Sequence, residues 1–265
     1  MKLICFIFIC GIFPFTLLAQ TNDSISVATK DFFSEADEYY KKYATNKSIN
    51  ESYSSEDALK LAKKFYKAKA EDPYGFRNYL RKLARIRDEK FRNTRVLEPK
   101  GGVKVRLIKN LISEKMGDRF VAIIEIPFYL KIKVLEIESG KYISKEDERI
   151  VAPTTIIKAE IEEIIKGEKF FKKNSIIDVN LINQWMSGTN KFFEVNKEYF
   201  IPLEPWNCYE DECTGLRLSF LPDNDYGIYP IENEVLKTND DYFGFGNQVD
   251  WSTFKESFIS TYIIK

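Results

Sequence analysis

Histidine is missing altogether from the 265 residues. Its absence removes Ser-His-Asp and Cys-His catalysis, because both need an imidazole base that titrates near neutrality. It also removes HExxH zinc hydrolases and zinc sites built on imidazole. Cysteine is scarce, at four residues, and two of these, Cys5 and Cys10, lie in the first ten positions. Long apolar runs are confined to the start of the chain. After residue 19 nothing approaches the roughly 20 apolar residues a helix needs to span a bilayer. Net charge is zero, from 40 Lys and Arg against 40 Asp and Glu. No overall excess therefore draws the chain to a polyanion or a polycation.

What is present begins with MKLICFIFICGIFPFTLLAQ. One lysine precedes an apolar run from Leu3 to Phe15, and small residues follow at Ala19. This is the pattern of a secretory signal peptide over residues 1–19, with cleavage between Ala19 and Gln20. An uncleaved anchor fits less well, since the run is short and contains Pro14. The expected mature chain starts at Gln20 and is secreted or periplasmic. Loss of the leader takes Cys5 and Cys10 with it, leaving Cys208 and Cys213 in WNCYEDECTG. In an oxidising compartment two cysteines this close are expected to pair. Their spacing is neither a zinc-knuckle nor a thioredoxin spacing, so a structural disulfide closing a polar loop is the expectation.

Apolar residues at 44% and aromatic residues at 15% supply enough material for a substantial core. The N-terminal part reads helical. Phe32, Phe33, Ala36, Tyr39, Tyr40 and Tyr43 recur at helical spacing. Ser54 with Asp57 forms a capping-box signature before Ala58, Leu61, Ala62 and Phe65. Asp72-Pro73 opens a third helix, and Arg77, Arg81 and Arg85 share one of its faces. Pro99 to Gly102 punctuates, and a short helix through Leu107, Ile108, Leu111 and Ile112 follows.

From Phe120 the texture turns to β. Phe120 to Ile137 reads as one long strand, or two parted near Pro127. Ile157, Ala159 and Ile161 alternate with Lys158 and Glu160, and the phase slips at Glu162-Glu163, as a bulge produces. Ile177, Val179 and Leu181 form another alternating run. Tyr199-Phe200-Ile201 and Leu216 to Leu221 are further strands. Asp250 caps a last helix that buries Trp251, Phe254, Phe258 and Tyr262. The expected class is α+β: a helical region over 20–116, then an OB-like β-barrel with a C-terminal helix over 117–265.

The stretches IIKAEIEEIIKGE, SIIDVNLI and FEVNKEYFIPL resemble the OB-fold module of the secreted tissue-inhibitor and netrin-like type, over roughly residues 120–263. The tail YGIYPIENEV…DDYFGFG is similar to tails of bacterial secreted proteins carrying such modules. Asn196 stands where that family usually has Gly, and Asn also accepts a left-handed turn. The family's metalloproteinase inhibitors place a zinc-ligating cysteine at the mature N-terminus. None stands here, so the resemblance implies a fold without that mechanism.

Charge is uneven along the chain. Arg77 to Lys109 holds twelve Lys and Arg against three Asp and Glu; Glu204 to Glu256 holds three against twelve. The expectation is that the two regions face each other or form solvated faces with no partner; the alternative is a basic surface for an anionic partner and an acidic surface for a cation. Asp223-Asn-Asp225-Tyr-Gly227 with Glu234 is similar to a calcium loop, but its glycine is at position five rather than six and no helices flank it. A surface turn is the reading there; Asp240-Asp241 before YFGFG is left open between holding a cation and making a turn. Glu204, Glu210, Asp211, Glu212, Asp240 and Asp241 are carboxylates a glycosidase needs only in pairs, with Trp206 as a sugar platform. Trp185, Trp206 and Trp251 read as core or barrel-mouth residues. Ser54, Ser55 and Lys60 lack any nucleophile-elbow or SxxK context. No catalytic residue, metal ligand or cofactor-binding residue is assigned, and no cofactor is expected. The leading expectation is a non-catalytic binding module for a protein or an envelope polymer, not for nucleic acid. The alternatives are a carboxylate-based glycan hydrolase and a structural envelope protein.

Overall fold

The computed structural model describes residues 25–94, 101–143, 151–182, 193–206, 208–209, 212–213, 215–219, 221 and 227–264. The signal segment with Ala19 and Gln20, Pro99, Trp185, and Asp223 to Tyr226 lie outside them.

Five helices come first: α1 (Val27–Thr45), α2 (Ser55–Glu71), α3 (Pro73–Thr94), α4 (Gly101–Met116) and α5 (Asp118–Ile124), with a 3-10 turn at Ile49–Ser52. Ser54 caps α2 through the expected reciprocal box with Asp57. Asp72 caps α3 by accepting from the Gly75 N–H at 2.8 Å. Phe32, Phe33, Phe65, Phe76, Ile108, Leu111 and Ile112 meet in a first core between the helices. Packing of an amphipathic face, more than intrinsic propensity, makes helices of this length stable. One sequence expectation is corrected at this point. Phe120 to Ile124 is not strand but helix α5, and the strand begins only at Phe128. β-branched residues are weak helix breakers, and here burial decides: Val121 and Ile124 pack into the helical core, and Ile123 against the barrel.

The strands follow as β1 (Phe128–Ile143), β2 (Val151–Lys166), β3 (Ile176–Ile182), β4 (Glu198–Pro205), β5 (Cys208–Tyr209), β6 (Glu212–Cys213), β7 (Leu216–Leu218), β8 (Tyr229–Glu232), β9 (Val235–Lys237) and β10 (Gln248–Asp250), before helix α6 (Trp251–Tyr262). Five of them close a barrel in the order β1-β2-β3-β7-β4, with β4 returning to β1 and β3–β7 the parallel pair. The fold is therefore α+β: N-terminal helices, a closed five-stranded OB-like barrel and a C-terminal helix. β8, β9 and β10 extend the sheet from the edge of β4. β5 and β6 make a separate two-stranded ladder.

Strand alternation sorts side chains between two further cores. Phe128, Leu130, Ile132, Val134, Ile157, Ala159, Ile161, Val179, Leu181, Ile201 and Leu203 fill the barrel interior, all with no exposed surface. Tyr129 and Phe200 point outward from β1 and β4, and α6 covers them with Trp251, Phe254, Phe258 and Tyr262. Lys131 stands opposite Glu163 while Ile132 stands opposite Ile161, so Glu162 is the extra residue of a bulge. That bulge is the phase slip read in the sequence. Asn196 takes φ 66°, the left-handed conformation expected there, and donates its N–H to the Val134 carbonyl at 2.8 Å.

Candidate functional site

Two polar systems surround the barrel. The first lies on the seam between helices and barrel. Helix α3 is docked by Arg77, which donates to the Pro205 carbonyl at 2.7 Å and lies 3.5 Å from Glu204. Glu204 also accepts from Arg217 Nε at 2.6 Å, and the Arg217 guanidinium lies 5.0 Å from the centre of the Trp206 ring. Arg77 and Glu204 come from the basic and the acidic segments, so the two regions do meet at this point. Tyr74 adds a hydroxyl to the Gly215 carbonyl at 3.5 Å, and burial pushes its phenol up to about 12.

Deeper in the seam stand two amines. Lys166, at the end of β2, is 3% exposed. Its amine donates to the Ile124 carbonyl at 3.0 Å and to the Ile126 carbonyl, and lies 4.1 Å from the centre of the Tyr66 ring. Burial, with neighbouring Lys69, holds that amine well below the ordinary lysine range. Lys69, on α2, lies 5.7 and 5.9 Å from the ring centres of Phe65 and Phe76. Burial also draws its amine down, against the pull of Glu125 and Glu204 and with help from Lys109 and Arg77. Glu125 is paired with Lys109.

The second system lies between the barrel and α6. Lys131 is 5% exposed and pairs with Glu198 at 2.8 Å and Glu234 at 3.5 Å. Trp251 donates its indole N–H to Glu163 at 2.6 Å, and Lys255 donates to the other oxygen at 2.7 Å. Burial favours the neutral acid at Glu163, but these two donors outweigh it and leave the carboxyl below its usual range. Glu234 has φ 59°, rare for a side-chain-bearing residue, on a two-residue turn with Asn233. Its carbonyl accepts the Trp251 N–H at 2.7 Å, which ties the turn to the start of α6.

The residues singled out in the sequence are distributed as follows. Cys208 stands directly opposite Cys213 in the β5–β6 ladder; their side chains lie outside the described ones. Glu210 and Asp211 lie outside the described residues, as does the Glu212 side chain. Glu204 is clamped by two guanidinium groups rather than by a second acid. Trp206 follows the end of β4, half-buried beside Arg217, and Trp251 is in the core. Gly227 has φ 78°, and a Cβ there would meet Ser219 O and Pro202 Cγ at 2.9 Å. That glycine answers a close backbone approach, apart from any cation. Asp241 accepts from the Gly246 N–H at 2.7 Å, as in a side-chain-closed turn. Among the described residues, no group of three or more Cys, Asp or Glu side chains is placed to hold a metal ion. No helix among them is long and apolar enough to cross a membrane.

Sequence reading missed Lys69, Lys131 and Lys166. Lys131 and Lys166 sit inside β runs where a lysine usually marks a solvent face. The available signal was local: Lys131 stands between Leu130 and Ile132, and Lys166 follows Ile164 and Ile165.

Comparison with protein-family models, with curated proteins and with solved structures returns no match for this chain.

Proposed function

We propose that the chain is an exported, non-catalytic binding module that engages a protein or an envelope polymer. The observation that carries this reading is a barrel packed solid inside with long excursions outside. Barrels of this topology hold ligands on strand faces and on the loops after the first and fourth strands. Here β1 pairs with β4 only over Phe128–Lys133, yet its ladder with β2 continues to Ile143 and Val151. The connection after β4 carries Trp206 and the β5–β6 ladder. These two departures from the barrel follow its first and fourth strands, where such folds contact ligands. The Arg77–Glu204–Arg217 clamp fixes the base of the second one against α3.

Leader removal in an oxidising compartment supports a Cys208–Cys213 bridge. Directly opposed residues of an antiparallel pair have Cα atoms about 4.5 or 5.5 Å apart, and both fall in the range a disulfide spans.

The test uses the mature chain, Gln20 to Lys265, immobilised and presented with solubilised envelope. A second form has the outer β1–β2 ladder shortened beyond Glu138 and Thr155. Saturable capture by the full form, lost in the shortened one at an unchanged thermal transition, is expected. Equal capture by both, or release of soluble sugar from envelope glycan by the full form, would replace this reading with one of the alternatives.

A further inference from the structure

One edge of the projecting ladder stands open. β1 pairs with β2 from Tyr129 to Ile143, but its other side meets β4 only from Phe128 to Lys133. That side closes at Val134, which donates its N–H to the Lys197 carbonyl at 3.0 Å and accepts the Asn196 N–H at 2.8 Å. From Leu135 to Ile143 no strand among the described residues lies there. Residues whose backbone groups turn away from β2 offer an N–H and a C=O to an incoming strand. The stretch contains no proline, so no donor is missing from it.

The side chains select the strand that fits. Glu136 and Glu138 stand two positions apart on the outward face, each about half exposed, and Lys158 of β2 serves both, at 3.2 and 3.6 Å. Asp178 of β3 stands opposite Lys158 on its far side. Leu135 to Ile150 holds five acids and three bases, so with Lys158 and Asp178 the ladder carries six against four. Ile137, between the two glutamates, turns the other way and packs against the barrel interior. A second copy paired antiparallel about Ile137 would set Glu136 against Glu138, and like charges directly opposite are destabilising. A strand with Lys or Arg at alternate positions meets both glutamates with opposite charge.

We infer that the outer edge of β1 is a strand-addition site for an extended protein segment with Lys or Arg at every second position. The segment lies beside β1 where β4 no longer reaches. Backbone hydrogen bonds supply its affinity, and Glu136 and Glu138 supply its selection. Its intervening side chains fall on the Ile137 face, where β-branched residues suit a half-buried sheet surface. This inference rests on the binding reading above and narrows its partner to a polypeptide.

The probe is an end-blocked peptide of alternating lysine and valine, titrated into the mature protein up to millimolar concentration. Amide hydrogen exchange along β1 is the readout. One control peptide has glutamate in place of lysine, and another is N-methylated at alternate residues and cannot donate along one edge. Expected is saturable slowing of exchange in Leu135 to Ile143 by the lysine peptide, with either control bound about tenfold more weakly. Glu136→Lys combined with Glu138→Lys should turn the preference toward the glutamate peptide. Equal binding of the three peptides, or no slowing in that stretch, would overturn the inference. A dimer in sizing chromatography whose β1 edge is already protected would overturn it too, by giving the edge to a second copy. The wild-type titrations decide this even if the double variant does not fold. Envelope capture separates the two readings. Undiminished capture by the double variant would remove the strand-addition site and leave the binding module. Absence of capture by the wild-type chain would remove the module, and the peptide titrations would still decide the edge.

Discussion

At the residue scale, the outer face of the barrel depends on single ion pairs whose worth is set by burial. Glu163 joins β2 to α6 through Trp251 and Lys255. Its folded carboxyl titrates below the usual value of 4.5. A depressed acid binds its proton more weakly in the folded state. Its stabilisation is therefore complete above the unfolded value and fades as pH falls through the folded one. Glu163→Gln should lower stability at pH 7 by roughly 1–2 kcal/mol, and the gap to wild type should close below about pH 4. Chemical denaturation at a series of pH values measures it; a gap that stays constant down to pH 3 contradicts the assignment. Residue-level reading of the sequence succeeded where a local rule was enough. Ser54, Asp72 and Asp250 cap helices because a short oxygen-bearing side chain satisfies orphan N–H groups wherever a helix begins. It failed at Lys131 and Lys166, whose burial depends on what other segments bring to them.

At the element scale, α6 is the clearest case of agreement between pattern and structure. Its stripe of Trp251, Phe254, Phe258 and Tyr262 is the buried face. Phe258 alone meets Tyr129, Phe200 and Phe243 at centroid distances of 4.8 to 5.6 Å. Phe258→Ala should cost about 3–5 kcal/mol, through lost transfer energy and the cavity left behind. For a chain of this size that lowers the melting temperature by roughly 10 °C. A change below about 1 kcal/mol would mean that α6 does not hold the outer face of β1 and β4. The cysteine ladder belongs to this scale as well. A bridge between Cys208 and Cys213 closes a small loop and should contribute about 2 kcal/mol. Thiol titration of the exported protein under denaturing conditions should find none free, and two reactive thiols would remove the bridge. Helix α5 shows where pattern reading stops. Phe120 to Ile124 is apolar and β-branched, and a short apolar run reads equally as strand or buried helix.

At the scale of the whole molecule, export is an expectation that the first residues carry and that a direct measurement settles. Intact mass and N-terminal sequencing of the exported protein should place its first residue at Gln20. A chain that retains Met1 would rule out cleavage, and with it the ground for an oxidised cysteine pair. The charge imbalance also finds its meaning here. Glu204 lies in an acidic segment and Arg77 in a basic one, 127 positions earlier in the sequence. Docking α3 on the barrel brings them to 3.5 Å. Part of the asymmetry is therefore internal pairing. Other residues of the basic segment pair with acids elsewhere, Lys104 with Asp37 on α1 and Lys109 with Glu125.

By itself the sequence determined the helix caps, the strand alternation, the bulge at Glu162 and the α+β class. Each depends on residues within a few positions of one another, where period and capping chemistry act directly. Only the tertiary structure decided that β1 returns to β4 and closes a barrel, and that Phe120 to Ile124 is helix. It also decided that Lys131 and Lys166 are buried at seams and that Lys69 stands half-buried over the rings of Phe65 and Phe76. Those outcomes depend on which distant surfaces meet, and burial, the quantity that sets the cost of a charge, exists only once they have met.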